Sequence, residues 1–230
     1  KTSNYLRWIK MTANQTYERF IIKINGNATT EQLSCDKGRF ANIYNNQQNR
    51  MIEYILEKRF EDDIRYLQKI LVDDKRLISS SVHLDHVDFT LPKDFFDHSN
   101  LYCLVSKDKC QKQKISCFEI KDDDRNNILD NEMINPSFKY REAPYHFSSD
   151  KIKIYTADEF TIDSAILSYY RYPQQIKLIN PENPESDFLS DPEFDDKLVN
   201  RIVDACVSEF FLNGTNEKFQ AEKVNSVQKP

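Results

Sequence analysis

Glycine is almost missing from this chain: Gly26, Gly38 and Gly214 are the only three in 230 residues, and they lie far apart. Phosphate-cradling loops, dinucleotide folds and nucleophile elbows all place glycine where the backbone turns sharply or approaches a ligand. No GxGxxG, GxxxxGKS/T or GxSxG run occurs, so the commonest nucleotide-binding and hydrolase frameworks are excluded. A long apolar run is missing too. Lys1, Arg7, Lys10, Glu18 and Arg19 leave no room for a secretory core in the first twenty residues, and no stretch reaches bilayer-spanning length. The chain therefore reads as soluble and intracellular, with no membrane partner. Positive charge is not in excess: 37 acidic against 32 basic side chains give −5, which argues against a protein built to grip a phosphate backbone. The five cysteines form an odd set, as expected of reduced thiols rather than a disulfide framework. Three N-x-S/T matches, at Asn14, Asn27 and Asn213, read as chance products of an asparagine-rich composition.

What is present is 39% hydrophobic content, enough for a packed core at this length. Up to about residue 78 the pattern is helical. Tyr5, Ile9, Ala13, Tyr17 and Phe20 share one face, and Asn25-Gly26-Asn27 marks a turn. A second helix is expected over DKGRFANIYNNQQNRMIEYILEKRF, with Phe40, Ile43, Tyr44, Gln47, Met51, Tyr54 and Ile55 as its stripe. A third is expected over EDDIRYLQKILV, whose acidic start suits the positive end of a helix dipole. Together these predict a small antiparallel bundle.

From residue 87 to 180 the period falls to two. VDFTLP, KISCFEIK, SFKYR and KIKIY alternate as half-buried strands, and KIKIYT with FTIDSAILSYYRY predicts a hairpin across Ala157-Asp158-Glu159. In FTIDSAILSYYRY, Phe160, Ile162 and Ile166 are assigned to one face, continued by Tyr170 and Tyr172, with Leu167 and Tyr169 opposite. After the proline-rich INPENPESDFLS, Asp191 as N-cap and Pro192 at the first helical position predict a helix ended by Asn213-Gly214. The expected class is α+β: an N-terminal helical bundle (1–78) and a C-terminal helix with its tail (191–230) packing back on it as one core, around a central antiparallel β-rich region (87–180).

Candidate chemistry is sparse. Cys103, Cys110 and Cys117 with His83, His86 and His98 suggest zinc, but structural zinc sites use short C-x(2–4)-C knuckles, and an interval of six residues across alternating strands scatters the sulfurs. His83 and His86 are expected in a solvated linker, and neither metal nor cofactor is expected. Asp62-Asp63, Asp122-Asp123-Asp124 and Asp195-Asp196 are adjacent carboxylates that solvate turns or cap helices, and Ser79-Ser80-Ser81 reads as a flexible connector. The mixed run from Glu57 to Arg65 decorates a solvated helix face or pairs with a neighbouring subunit. The tyrosines around Arg171 pose a similar choice between core, ligand groove and subunit surface.

The succession DKGRFANIYNNQQNRMIEYILEKRFEDDIRYLQKIL, HVDFTLPKDFFDHSNLYCLVSKDKC, NPSFKYREAPYHFSSDKIKIY, AILSYYRYPQQI and DPEFDDKLVNRIVDACVSEFF, spanning residues 30 to 212, resembles a virion structural protein of crAss-like bacteriophages. The resemblance implies a ring-forming neck protein of the head-to-tail connector, without enzyme activity, made in the host bacterial cytoplasm and located in the virion. Implied partners are copies of itself in a dodecamer, the portal protein, neighbouring neck and tail rings, and DNA passing through the channel without specific binding. Carried onto this chain, Tyr169, Arg171, Arg59, Asp62 and Arg65 are the expected subunit interface. Phe219, Lys223, Val224 and Val227 are the expected portal-docking residues. Two other readings compete: a β-sandwich module holding a peptide or glycan through Tyr169, Arg171 and Tyr172, and a metal-dependent enzyme using His83, His86 and the cysteines.

Overall fold

The computed structural model describes residues 10–26, 33–59, 61–108, 112–121, 135–178 and 190–227, with side chains described outside 61 and 213–227. The chain divides into two compact units, Lys1–Lys69 with Pro173–Pro230, and Ile70–Tyr172.

In the first unit, helix α1 (Ala13–Gly26) opens with a reciprocal cap. The Gln15 amide donates to the Thr12 hydroxyl at 3.2 Å, and the Thr12 N–H donates to Gln15 Oε1 at 2.9 Å. The carboxylates of Asp191 and Asp196 accept from the Ala13 and Met11 N–H groups at 2.8 and 3.1 Å. Asp191 thus caps α1 rather than the C-terminal helix, because the first N–H groups of a helix have no carbonyl a turn before them and here meet an acceptor brought from far along the chain. Helix α2 (Lys37–Lys58) is capped by Asp36, which accepts from Arg39 N–H at 2.8 Å, and closes on left-handed Arg59. Its buried face is Phe40, Ile43, Tyr44, Gln48, Ile52, Ile55 and Leu56. After Tyr44 this is one residue later than the expected stripe, and Tyr54 is exposed. The buried amide is therefore Gln48, whose Nε2 donates to Gln174 O at 3.2 Å, while Asn45 pairs with both backbone groups of Ile176. These two polar side chains tie the segment that leaves the second unit onto α2.

The expected third helix shrinks to one turn, α3 (Glu61–Ile64), and a 3-10 segment (Arg65–Lys69). Strand formation takes the rest: Ile70 O accepts from Arg171 N–H at 2.9 Å, and Leu71 pairs with Tyr170. Helix α4 (Asp196–Val227) starts four residues beyond Pro192 and runs through Gly214. A helix-interior glycine costs about 1 kcal/mol against alanine, which the strong helix formers Glu217, Lys218, Gln220, Ala221 and Glu222 outweigh. Phe194, Leu198, Ile202, Val203 and Cys206 are buried, and Phe210 meets Phe20 edge-on at 5.7 Å, itself 4.8 Å from Phe40.

The second unit is an eight-stranded sheet: β1 (Leu71–Arg76), β2 (Ile78–Val82), β3 (His86–Thr90), β4 (Phe95–Ser106), β5 (Gln113–Glu119), β6 (Glu142–Ser148), β7 (Lys151–Tyr155) and β8 (Thr161–Arg171), in the order β1-β8-β4-β5-β6-β7-β3-β2. The chain is a mixed α+β protein dominated by this curled sheet, which overturns the expectation of a helical-bundle core. The strand order also corrects the expected hairpin: β7 pairs with β6 and β3, whereas β8 pairs with β1 and β4. The region is not wholly antiparallel, since β5 and β6 run parallel. SFKYR is a turn closed by the Ser137–Glu142 bridge, and Ser79-Ser80-Ser81 is strand, held against β3.

β1 and β2 stand at opposite ends of the order, yet only Leu77 separates them. Arg76 and Ile78 are two Cα steps apart, a span of at most about 7 Å, so the sheet curls until its two ends meet. No helix lies in this unit among the described residues, and the sheet buries its apolar face on itself. Val87, Phe89, Leu101, Cys103, Val105, Ile115, Ile152, Ile154, Ala165, Leu167 and Tyr169 form that core with Leu77.

With so few glycines, left-handed positions fall to other residues, among them Asp74, Ser149, Ala157 and Asp158. Asp tolerates that conformation; Ala157, at φ 49°, has no polar group to compensate. Ala157→Gly should raise stability by roughly 0.5–1 kcal/mol, the relief of strain less the unfolded-state entropy of glycine. A higher urea midpoint with unchanged slope is the expected readout.

Candidate functional site

The curl does not close fully. β1 pairs with β8 from Tyr170 only as far as Ile166, and Leu77 N–H adds one bond to Ala165 O at 2.9 Å. The chain then crosses to β2, which pairs with β3 alone among the described residues. Thr161–Ser164, bonded to β4 on one side, have no strand on the other among the described residues, and the outer edge of β2 faces the same opening. A cleft of about 570 Å³ occupies this seam, lined by Ile78, Val82, Leu84, Val87, Phe89, Phe160 and Ile162, with Arg76, His83, Asp158 and Asp163 at polar points of its lining. Ile78, Val82 and Leu84 are 79%, 74% and 76% exposed. The seam thus combines two strand edges, each paired on one side only among the described residues, with a set of exposed aliphatic side chains.

Beside it, the three-residue turn His83-Leu84-Asp85 joins β2 to β3, closed by a 2.9 Å bond from His83 N–H to His86 O. On β3, Val87 and Phe89 enter the core, so strand alternation brings His86 and Asp88 out together on the other face. The rings of His83 and His86 stack at 4.3 Å. One ligand atom from each of His83, His86 and Asp88 lies within 4.8 Å of the others. Asp85 Oδ1 is 2.7 Å from His86 Nδ1. Burial opposes ionisation of Asp85, but the hydrogen bond from His86, helped by its own backbone N–H and the two imidazoles, prevails and holds its carboxyl below the usual range.

The sequence-predicted interface separates into two groups. Arg59, Asp62 and Arg65 are exposed on the first unit, whereas Asp63 from the same run is held by Arg201 at 2.9 and 3.4 Å. Tyr169 is 3% exposed in the sheet core and donates to Asp94 Oδ1 at 2.9 Å. A ring so covered has no surface left for a partner or a ligand groove. Arg171 is half-buried and donates to Tyr172 O at 3.1 Å, and exposed Tyr172 packs edge-on against Phe96 at 4.8 Å. The faces of β8 differ from the simple alternation because Val105 pairs with Ile162 and Leu104 with Ser164, which makes Asp163 an extra, bulged residue. Phe160 and Ile162 point to the core before the bulge, and Ala165, Leu167 and Tyr169 after it. Phe219, Lys223, Val224 and Val227 belong to the helical backbone of α4, and their side chains lie outside the described residues.

Among the described residues no cysteine joins His83 and His86. His98 stands between Asp97 and Glu119, 3.4 and 3.7 Å away. Cys103 and Cys117 meet at 3.5 Å within the sheet, where the contact with Cys117 and burial push the Cys103 thiol well above its usual range, and Cys110 lies outside the described residues. Of the acid pairs, Asp195 binds Lys69 at 2.7 Å and Asp196 caps α1, while Asp122-Asp123-Asp124 lie outside the described residues. No helix among the described residues is long and apolar enough to cross a membrane. No protein-family model and no curated protein matches the sequence.

Burial, then the hydrogen bond to Asp94 and its charge, raise the Tyr169 phenol to about 12 against the opposing Arg171 guanidinium. A phenol raised above its unfolded value of about 10 contributes stability that is complete below pH 10 and lost as pH rises through 12. Tyr169→Phe should remove that component and cost about 1 kcal/mol at neutral pH. The difference between wild-type and variant unfolding free energies, followed by urea titration from pH 8 to 12, should therefore shrink across that window.

Proposed function

We propose that the chain is a non-enzymatic structural subunit that assembles with copies of itself into a ring of the portal-proximal neck of a tailed bacteriophage, located in the virion and enclosing a passage for DNA. The observation that carries the assembly reading is the open seam. Natural sheets protect their edges with charge, proline or cover, and an uncovered aliphatic edge is a pairing site. Here β2 presents Ile78 and Val82 opposite the half of β8 that pairs with β4 alone among the described residues. An extended segment of a neighbouring copy, laid between them, would receive backbone hydrogen bonds from both sides and bury the exposed side chains. Such a contact joins different surfaces of successive copies, the interface type that closes into rings. The phage assignment itself is supported by the ordered segments that resemble crAss-like virion proteins. An acidic chain of net charge −5 also suits a wall past which DNA slides rather than one to which it adheres.

Exposed Arg59, Asp62 and Arg65 serve as a second, polar contact, and the end of α4 as the docking element for the portal. DNA makes no specific contact in this arrangement.

Size measurement by light scattering, with and without purified portal protein, tests the reading. A dodecamer, or a monomer that forms one on the portal, is expected for the wild type. Val82→Lys with Ile78→Lys should stop assembly while leaving the circular dichroism spectrum unchanged. A wild type that stays monomeric at every concentration with portal present would overturn the proposal, as would a double variant that assembles normally.

A further inference from the structure

We propose that His83, His86 and Asp88 form a binding site for a divalent transition-metal ion of the zinc class. Two imidazoles and one carboxylate are donors that such ions favour, and three protein ligands leave a coordination position for water. The geometry is already set for most of the site. His86 and Asp88 emerge on one face of β3 because Val87 and Phe89 are fixed in the core. His86 Nδ1 faces Asp85 Oδ1 at 2.7 Å, an arrangement in which the tautomer with its proton on Nδ1 leaves Nε2 as the ligand atom. Carboxylate-backed histidines of this kind are oriented as metal ligands.

Asp88 supplies the second observation. Its Oδ2 is held by the Ser81 hydroxyl at 2.9 Å, while its Oδ1 is buried with no hydrogen-bond partner among the described residues. That oxygen lies 3.7 Å from His86 Nε2, beyond hydrogen-bonding range. Two potential ligand atoms therefore stand side by side on one face of the strand. Ligand atoms bound at about 2.0–2.1 Å in a tetrahedral site stand about 3.3 Å apart, so a small contraction would bring both onto one ion. His83 completes the set from the exposed turn, where its side chain can rotate to close the 4.8 Å spread. The bound ion would clamp the β2–β3 turn to β3.

Titrating the full chain with Co2+ should give saturable visible absorption bands of imidazole ligation at one ion per chain, displaced by Zn2+. Zn2+ should also raise the thermal midpoint of the wild type. His83→Ala, on the exposed turn, should abolish both effects without altering the circular dichroism spectrum, and Asp88→Asn should do the same. Asp85→Asn should weaken affinity by about 10-fold or more through the loss of imidazole orientation. The absence of a saturable Co2+ spectrum in the wild type would overturn the site. So would Co2+ or Zn2+ effects that persist in both His83→Ala and Asp88→Asn.

Discussion

A sheet whose own unit holds no helix among the described residues buries an apolar face on itself, and the single residue between β1 and β2 decides how. Leu77 joins the two ends of an eight-stranded order, so the curl is a covalent requirement before it is a packing preference. Each buried aliphatic or aromatic side chain of the interior then contributes about 1.5–3 kcal/mol, but only in the curled arrangement, where strands distant in order line the same space. The core formed by Leu77, Phe89, Cys103, Ile115, Ile154 and Leu167 depends on that closure.

The same connection leaves the sheet unfinished. β1 ends beside Ile166 and the next residues turn to β3, so the first half of β8 keeps β4 as its one strand neighbour among the described residues. Closing the gap would need another strand between β2 and β8. The seam follows from a one-residue connection carrying the chain from one partner strand to another, and its exposed aliphatic side chains sit where the missing strand would lie.

Parts of this architecture were legible because local chemistry and tertiary context agree. The first part of the apolar repeat, Phe40, Ile43 and Tyr44, identifies α2, and the alternation of Val87 with Phe89 and of Ile152 with Ile154 identifies β3 and β7. Other parts depend on distant partners. EAPYHFS contains Pro144, which argues against a sheet interior, yet it pairs with β5 and β7. Nothing in TIDSAIL announces that Asp163 is bulged, since the register of β4 decides it, and one such residue moves Tyr169 from the outer face to the core. Adjacent segments with a short loop suggest a hairpin, but β7 already has neighbours on both edges. In the candidate site, His83 and His86 stood out as residue types, whereas Asp88 did not. Its part depends on knowing that β3 turns Val87 inward; HxxHxD followed by an apolar alternation was the available signal.

β2 is the point on which the functional readings converge. Three consecutive serines give it little side-chain packing, and β3 is its one strand partner among the described residues. A strand held on one side, with Ile78 and Val82 in solvent, gains more from a second partner than any interior strand could, because its hydrogen-bonding groups and apolar area are still in water. Pairing also carries the cost of ordering that edge. An ion linking His83 in the turn to His86 and Asp88 on β3 would take up part of this cost in advance, fixing the end of β2 before a neighbour arrives. Metal occupancy and strand addition would then favour each other through one element, and by linkage the coupling would act equally in both directions.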